Sequence, residues 1–514
     1  MSRFHPFPTT LCFLLVASTM LLTGCQPQLE PGPQPQPDKP PASSDIWTVA
    51  LIDGNKIGYS HLKQTEVTDN GQTYQKHHHV SELTLQRSAS ITRQRTELTS
   101  IETRGGRLVS CQTQMSDGTA EKITAGRVHN GRLTITTTIA GSQQQTSIPW
   151  QAEWRGFFGV EESLRSQPLK PGEKRKLVVL APILMQPANI ELVAGDYEPT
   201  TLAAATQPLL KIDRADQLQV ANGQTLTIKS TIWADQDGRI LKTLLPGFGL
   251  EEYRTSREHA LAKIGSRPFD INASFSIRLK RTVPDPHATQ RVRYRIHVKD
   301  GRPSDFFAAG ASQQIKPLED GWAEIEVQAI SPQQPPAAAQ QRQPTAQDSA
   351  ANSLIQSDND LVIALANSLE SDSEDPWQLA CQLEKYVYQL IEKKDFSQVF
   401  ASAKEVAQSR QGDCTEHAVL LAALCRARKI PARVAIGLVY VPRPGAPELA
   451  YHMWNEVWIK DGWYPLDATL GRGGIGGCHL KLTDTNLAGS SAFSAFLPVT
   501  QVVRRLQIEI VSVD

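Results

Sequence analysis

The sequence predicts a multidomain chain, a long antiparallel all-β N-terminal region followed by a C-terminal α+β domain, and three observations predict it. From Ile46 to about Pro332, apolar and polar residues mostly alternate, the period of half-buried strands. Asp53-Gly54, Gly105-Gly106, Asn130-Gly131 and Asp237-Gly238 separate β-rich runs such as Leu133 to Ile139 and Thr225 to Ile232, which is hairpin chemistry. Beyond about residue 350 the period changes. Leu361, Ile363, Leu365 and Leu369, then Leu379, Leu383, Tyr386, Val387, Leu390 and Ile391, recur at helical spacing before a short sheet.

At 514 residues the chain has room for three to four domains of ~150 residues. Lys plus Arg and Asp plus Glu number 53 each, so no basic excess is present to neutralise a phosphate backbone, and nucleic acid is not an expected partner. Arg3 and the apolar stretch Leu11 to Leu22 read as an export signal, because the stretch is too short to cross a ~30 Å hydrocarbon core. Leu22, Thr23, Gly24 and Cys25 follow in the order L-x-G-C and resemble a bacterial lipoprotein signal. That resemblance implies a signal peptide over 1–24 and lipidation of Cys25. It also implies attachment to the bacterial cell envelope, on the periplasmic side of a membrane if the cell is Gram-negative. Without Arg3 the remainder is still nearly neutral, so the lipid rather than charge would hold it to the membrane.

Residues 25–45 contain seven prolines between Gln26 and Ser44 and no aromatic residue there, the composition of an extended tether. We expect an antiparallel β-meander domain over 46–266 and a small sandwich-like β domain over 267–332, where Phe275 to Ile277 and Val292 to Ile296 alternate. The Pro, Gln and Ala-rich residues 333–353 read as a linker, and 354–514 as the last domain. His77, His78 and His79 fall on a strand, where successive side chains face opposite ways, so a solvated strand is expected rather than a metal site. With Cys12 lost and Cys25 lipidated, Cys111, Cys381, Cys414, Cys425 and Cys478 remain, either as thiols or with four of them in two disulfides.

The chemistry concentrates around Gly412-Asp413-Cys414-Thr415-Glu416. Asp413, with Glu416 three residues on and then Ala418 to Leu424, forms a capping-box pattern opening an apolar helix. Cys414 falls in its first turn, where the helix dipole and free N–H groups favour a thiolate. A strand Ala432 to Gly437 follows, then Tyr451-His452-Met453-Trp454-Asn455-Glu456-Val457-Trp458, and then Trp463-Tyr464-Pro465-Leu466-Asp467-Ala468-Thr469. Thiol, imidazole and carboxylate thus come in the order of a nucleophile, a base and an orienting acid. His417 shares the helix of Cys414, but only His452 comes with an acid.

Taken together, G-D-C-T-E-H-A, I-P-A-R-V-A-I-G, H-M-W-N-E-V-W and G-W-Y-P-L-D-A-T resemble the transglutaminase-like superfamily, whose core is papain-like. The resemblance covers roughly Asp375 to Gly477. It implies that Cys414 is the nucleophile, His452 the base and then acid, and Asp467 the orienter. It further implies a thioester acyl-enzyme and a protein or peptide substrate. Hydrolysis is favoured over cross-linking, and no cofactor is implied. A calcium loop of the D-x-D-x-D-G kind is absent from the sequence, so no metal is expected. Trp377 and Tyr386 are candidates for assisting an oxyanion, with no motif to choose between them. Trp454, Trp458 and Trp463 read as strand packing, and the five glycines between Gly471 and Gly477 as a flexible loop. The competing expectation is a non-catalytic binding or scaffold lipoprotein whose β domains carry the function.

Spacing sets one geometric condition. If Asp461 and Gly462 form a two-residue turn, Lys460 faces Trp463 and Asp467 faces Glu456, on the same sheet face as His452. Four residues of strand are ~13 Å, so a bulge, with Pro465 a natural site, or strong twist would be needed to bring Asp467 to His452.

Overall fold

The computed structural model describes residues 44–514 apart from 88–89, 117–120, 140, 204, 220–224, 266–268, 271–274, 336–340, 370–374, 394–400, 444, 489–496 and 503. The expected signal peptide, Cys25 and most of the expected tether lie outside the described residues. Among these residues no helix is long and apolar enough to cross a membrane.

The N-terminal half is one antiparallel sheet. Strands β1 to β8 span Ser44–Ile52, Asn55–Asp69, Gln72–Arg87, Ser90–Glu102, Leu108–Ser116, Glu121–His129, Arg132–Ile139 and Ser142–Pro149. After helix α1 (Gly159–Ser166) come β9 to β14 at Lys174–Ala181, Gln186–Leu202, Ala205–Gln219, Thr225–Ala234, Ile240–Leu245 and Leu250–Thr255. The order is β8 back to β1, then β14 back to β9, giving fourteen strands whose two meanders meet where β1 pairs β14. Hairpin chemistry sets much of this. Asp53 and Gly54 have φ of 49° and 75°, and Asn130 and Gly131 of 48° and 70°, the left-handed pair that a twisted two-residue turn requires.

Such a sheet must curl to cover its own apolar face. The segment after β8 closes it, because the backbone at Arg155 pairs both with Arg107 beside β5 and with Val179 of β9. Phe157 and Phe158 and the buried residues Val160 and Leu164 of α1 then fill the interior. The histidines of β3 correct the expectation of a solvated strand. Their faces do alternate, but His77 and His79 are buried and His77 stacks on Phe158 at 4.6 Å. Burial pushes the imidazoles of His77 and His79 down to about 4 and about 3. The helix inside the curl covers them, and its packing lies too far along the chain to read locally.

The C-terminal half differs from the expected small sandwich. A short helix α2 (Arg257–Leu261) leads to β15 (Ile277–Arg278), which joins the sheet of the last domain. The strands β16 (Arg291–Val298), β17 (Gln313–Pro317) and β18 (Trp322–Gln328) form a single sheet of order β17-β18-β16-β23. Its fourth strand, β23 (Leu506–Val513), is the end of the chain.

Between them lie helices α3 (Asp360–Asn367), α4 (Pro376–Leu390), α5 (Ala403–Ser409) and α6 (Cys414–Ala427). The strands β19 (Ala432–Val441), β20 (Glu448–Ile459), β21 (Gly462–Leu466) and β22 (His479–Thr485) and helix α7 (Leu497–Val502) complete the unit. Part of the expected linker packs here too, since the Trp463 indole N–H donates to the Arg342 carbonyl at 2.7 Å.

One expected outcome tests the curled interior. The Phe158 ring is buried there against His77, so Phe158→Ala should destabilise the N-terminal sheet by about 3–5 kcal/mol. Urea unfolding followed by circular dichroism checks this, and an unmoved midpoint would show that the ring is not a core element.

Candidate active site

Helix α6 begins as its sequence dictates. Asp413 caps it, accepting the Thr415 N–H at 2.8 Å, while Glu416 accepts the Asp413 N–H at 3.0 Å. Glu416 also accepts the Ala401 N–H at 3.2 Å, so the capping box ties the helix to the chain before α5. Cys414 is the first helical residue and is fully buried. Gly412 adopts φ 147°, and a Cβ there would come within 2.3 Å of Glu416 Cβ, which leaves the turn into the helix little choice but glycine.

Helix α6 lies on the sheet of β19 and β20. The Asn455 amide donates to the Ala418 carbonyl, one turn beyond Cys414, at 2.8 Å. One edge of β20 pairs with β19 throughout, from Ala432 against Val457 to Val441 against Glu448. The other edge is divided. At one end β15 pairs with Glu448 and Leu449, at the other β21 pairs from Asn455 to Ile459, and His452 lies in the interval between them.

Asp467 reaches His452 by a route that corrects the expected register. Ile459 pairs with Gly462 and Trp458 with Trp463, so the turn residues are Lys460 and Asp461, at φ 48° and 64°. Glu456 therefore faces Pro465, and the ladder continues to Asn455 and Leu466 without a shift. Extended by one residue it would set Asp467 opposite Trp454, two positions or ~7 Å from His452. Side chains span that gap, and no bulge at Pro465 is required.

The resulting cluster is dry. His452 Nε2 lies 2.8 Å from Asp467 Oδ2 and His479 Nε2 lies 3.1 Å from the same oxygen. The second carboxylate oxygen accepts the Thr469 N–H at 2.9 Å and hydroxyl at 2.6 Å. Burial alone would raise the Asp467 pKa, but the two imidazoles beside it hold the carboxyl well below its usual range. Burial pushes His479 down despite Asp467. Trp454 lies against both rings, stacked on His452 at 6.1 Å and edge-on to His479 at 5.3 Å.

Glu384 of α4 supports this cluster from behind. It accepts the Asp467 N–H at 2.8 Å and the Gly473 N–H at 2.5 Å, and burial, with the Asp467 charge adding to it, pushes its carboxyl up to about 8. These contacts also correct the reading of the glycine-rich stretch. Gly473 is held by Glu384, the Gly477 N–H donates to Thr289 at 3.0 Å and the Gly477 carbonyl accepts the Tyr294 hydroxyl at 3.1 Å. A Cβ at Gly477 would lie 2.8 Å from the Val292 nitrogen, so glycine is used here for close approach rather than for mobility.

His479 and Glu384 are the members of the cluster that sequence reasoning missed. Glu384 interrupts the apolar face of α4 beside Leu383 and Val387, and a charged residue at such a position was the available signal. His479 begins a strand with no motif around it. His417 is directed elsewhere, its Nδ1 donating to the Asp413 carbonyl at 2.5 Å. Trp377 packs edge-on against Tyr464 at 5.9 Å. Trp454 and the Trp458 and Trp463 pair, 5.4 Å apart, are packing residues, as their strand positions suggest. None of the five described cysteines is in a disulfide. Burial pushes Cys381 up to about 12 and Cys478 up to about 11, and drives Cys111 and Cys425 upwards as well.

The arrangement offers a buried imidazole held by a carboxylate, close to a helix that starts with a thiol. The ligand atoms of His452, Asp467 and His479 lie within 4.8 Å of one another, so the same three residues could also hold a small metal ion. Residues 363–468 match the transglutaminase-like superfamily, and this part of the chain is a transglutaminase-like domain. Among solved structures, the chain is similar to a putative cysteine protease from Cytophaga hutchinsonii at 17% identity and a TM-score of 0.28, over 44% of this chain and 85% of that one. It is similar to a β-barrel-like protein of a domain of unknown function from Brucella abortus at 6% identity and 0.30, over 41% and 94%. A putative protease from Parabacteroides distasonis ATCC 8503 is similar at 10% identity and 0.19, over 71% and 68%. No curated protein matches the chain.

The Glu384 carboxyl gives a pH prediction. Its folded pKa, about 8, lies above the ~4.3 of an unfolded glutamate. Between these values the unfolded chain loses this proton while the folded one keeps it, so stability falls as pH rises through the window. Glu384→Gln should flatten the fall in unfolding midpoint between pH 5 and 8 relative to the parent. Equal slopes in the two proteins would show that Glu384 titrates normally.

Proposed function

We propose that the protein is a thiol enzyme of the bacterial cell envelope that attacks amide or peptide bonds through Cys414, His452 and Asp467. The observation that carries this reading is the buried 2.8 Å pair of His452 and Asp467 in a transglutaminase-like domain whose capped helix starts at Cys414. With Nε2 on Asp467, Nδ1 of His452 is the nitrogen that takes the thiol proton. The thiolate adds to the substrate carbonyl, and the tetrahedral adduct collapses as imidazolium gives its proton to the departing amine. Water, giving a proton to His452, then attacks the thioester and releases the acid and the thiol.

Asp467, held ionised, fixes the imidazole and balances the imidazolium charge. We favour water over lysine as acceptor, hence hydrolysis over cross-linking, because water resolves the thioester with no further binding group beyond the triad. No step here uses a metal or cofactor.

Purified protein treated with iodoacetamide at neutral pH should carry its first adduct on Cys414, because this thiol alone sits in the first turn of a capped helix, where the dipole and free N–H groups favour a thiolate. Mapping by mass spectrometry decides, and labelling of Cys414 no faster than the others would remove it as the nucleophile. Asp467→Asn should lower peptide hydrolysis by about 10³–10⁴-fold at pH 7.

The L-x-G-C sequence supports attachment through lipid on Cys25. Cys25→Ser should move the protein from the membrane fraction to the soluble periplasmic or secreted fraction. Retention of this variant on the membrane after a high-salt wash would contradict lipid anchoring.

A further inference from the structure

A cavity of about 650 Å³ opens on the inner face of the curled sheet, in the size range of small-molecule sites. Strands β9, β11 and β12 and the Leu245–Phe248 turn form its wall, and Phe306 and Arg505 of the C-terminal half complete it. The wall is apolar, with Leu180, Leu184, Leu218 and Phe248 prominent in it.

Against this wall stands a charged side chain. Arg214 is only 6% exposed, and Asp216 holds its Nε and Nη2 at 2.6 and 2.7 Å. Its Nη1 is buried and meets no hydrogen-bond partner among the described residues. A guanidinium N–H left without an acceptor in an apolar cavity is costly, and an acceptor brought by a ligand would remove that cost.

The charges of the lining balance, Arg214 and Arg505 standing with Asp216 and Asp300, because Lys229 pairs with Ala215 and is exposed on the outer face of the sheet. Arg505 spends its hydrogen bonds on the carbonyls of Lys299, Asp300 and Gln501, which leave its charge in place. An apolar wall with one buried guanidinium N–H left for an acceptor fits an amphipathic molecule, and an anionic head group is the strongest acceptor for it.

We propose that this cavity binds an acyl chain bearing an anionic head group, the chain lying on the apolar wall and the head group accepting from Arg214 Nη1. A free fatty acid and a lysophospholipid share that chemistry. The site lies apart from Cys414, and the inference stands whether or not the thiol is catalytic.

Delipidated full-length protein titrated with a fluorescent long-chain fatty acid should show saturable binding, displaced by unlabelled hexadecanoate. Hexadecanol should compete at least tenfold more weakly. Leu218→Trp, which fills the cavity, should weaken binding at least tenfold with an unchanged melting temperature. Arg214→Gln should lose the preference for acid over alcohol. A 16-carbon lysophosphatidic acid competing more strongly than hexadecanoate would assign a phospholipid source, and the reverse a free fatty acid. No saturable binding, equal competition by acid and alcohol, or full binding by a folded Leu218→Trp variant would overturn the proposal.

Discussion

The Asp467 carboxylate is the constraint around which the C-terminal half is arranged. A carboxyl removed from water tends to keep its proton, yet this one is kept ionised by four donors, two imidazoles on one oxygen and the N–H and hydroxyl of Thr469 on the other. Glu384 shows the opposite outcome a few ångströms away. It accepts only backbone N–H groups and feels the Asp467 charge, so burial wins and its carboxyl is pushed up to about 8. Two neighbouring buried carboxyls are thus driven apart, one to hold an imidazole and the other to brace the loop. That separation of roles follows from donor type rather than from depth.

Much of this was legible in the chain. Asp413, Cys414 and Glu416 announce a capped helix because a capping box is local, three residues deciding the geometry. That His452 and Asp467 share a sheet face was also legible, since parity survives a register change of two residues. The register itself was not. Asp-Gly is a strong turn signal, but the turn here uses Lys460 and Asp461 in left-handed conformations, and the pull of the whole β20 and β21 ladder outweighs the preference of one dipeptide. His479 and Glu384 come from 12 residues after and 83 residues before Asp467, contacts that no local pattern encodes.

The N-terminal sheet follows the same logic at larger scale. Alternation and glycine turns were enough to expect an antiparallel meander, and they specify each hairpin. They do not specify how a sheet with one apolar face hides it. The solution is a curl closed by the backbone at Arg155 and packed with Phe157, Phe158 and α1. Its price is polar burial: Glu102 and Glu161 are both pushed up to about 7 by desolvation, so the interior holds its carboxyls near neutrality rather than as bare charges. An interior of that kind tolerates Arg214 because Asp216 lies two residues along the same strand.

The two halves are joined by more than a linker. Strand β23 has β16 as its neighbour, so the last eight strand residues of the chain complete a sheet begun more than two hundred residues earlier. Arg504 pairs with Asp53 at the first hairpin and lies over the Phe275 ring, and β15 occupies part of the β20 edge beside His452. A cut at the helical boundary near residue 354 would leave β23 without β16 and strip β15 from that edge, widening the interval in which His452 sits. The unit that shapes the His452 environment therefore begins before Ile277, although Cys414, His452, Asp467 and His479 all lie after Glu384.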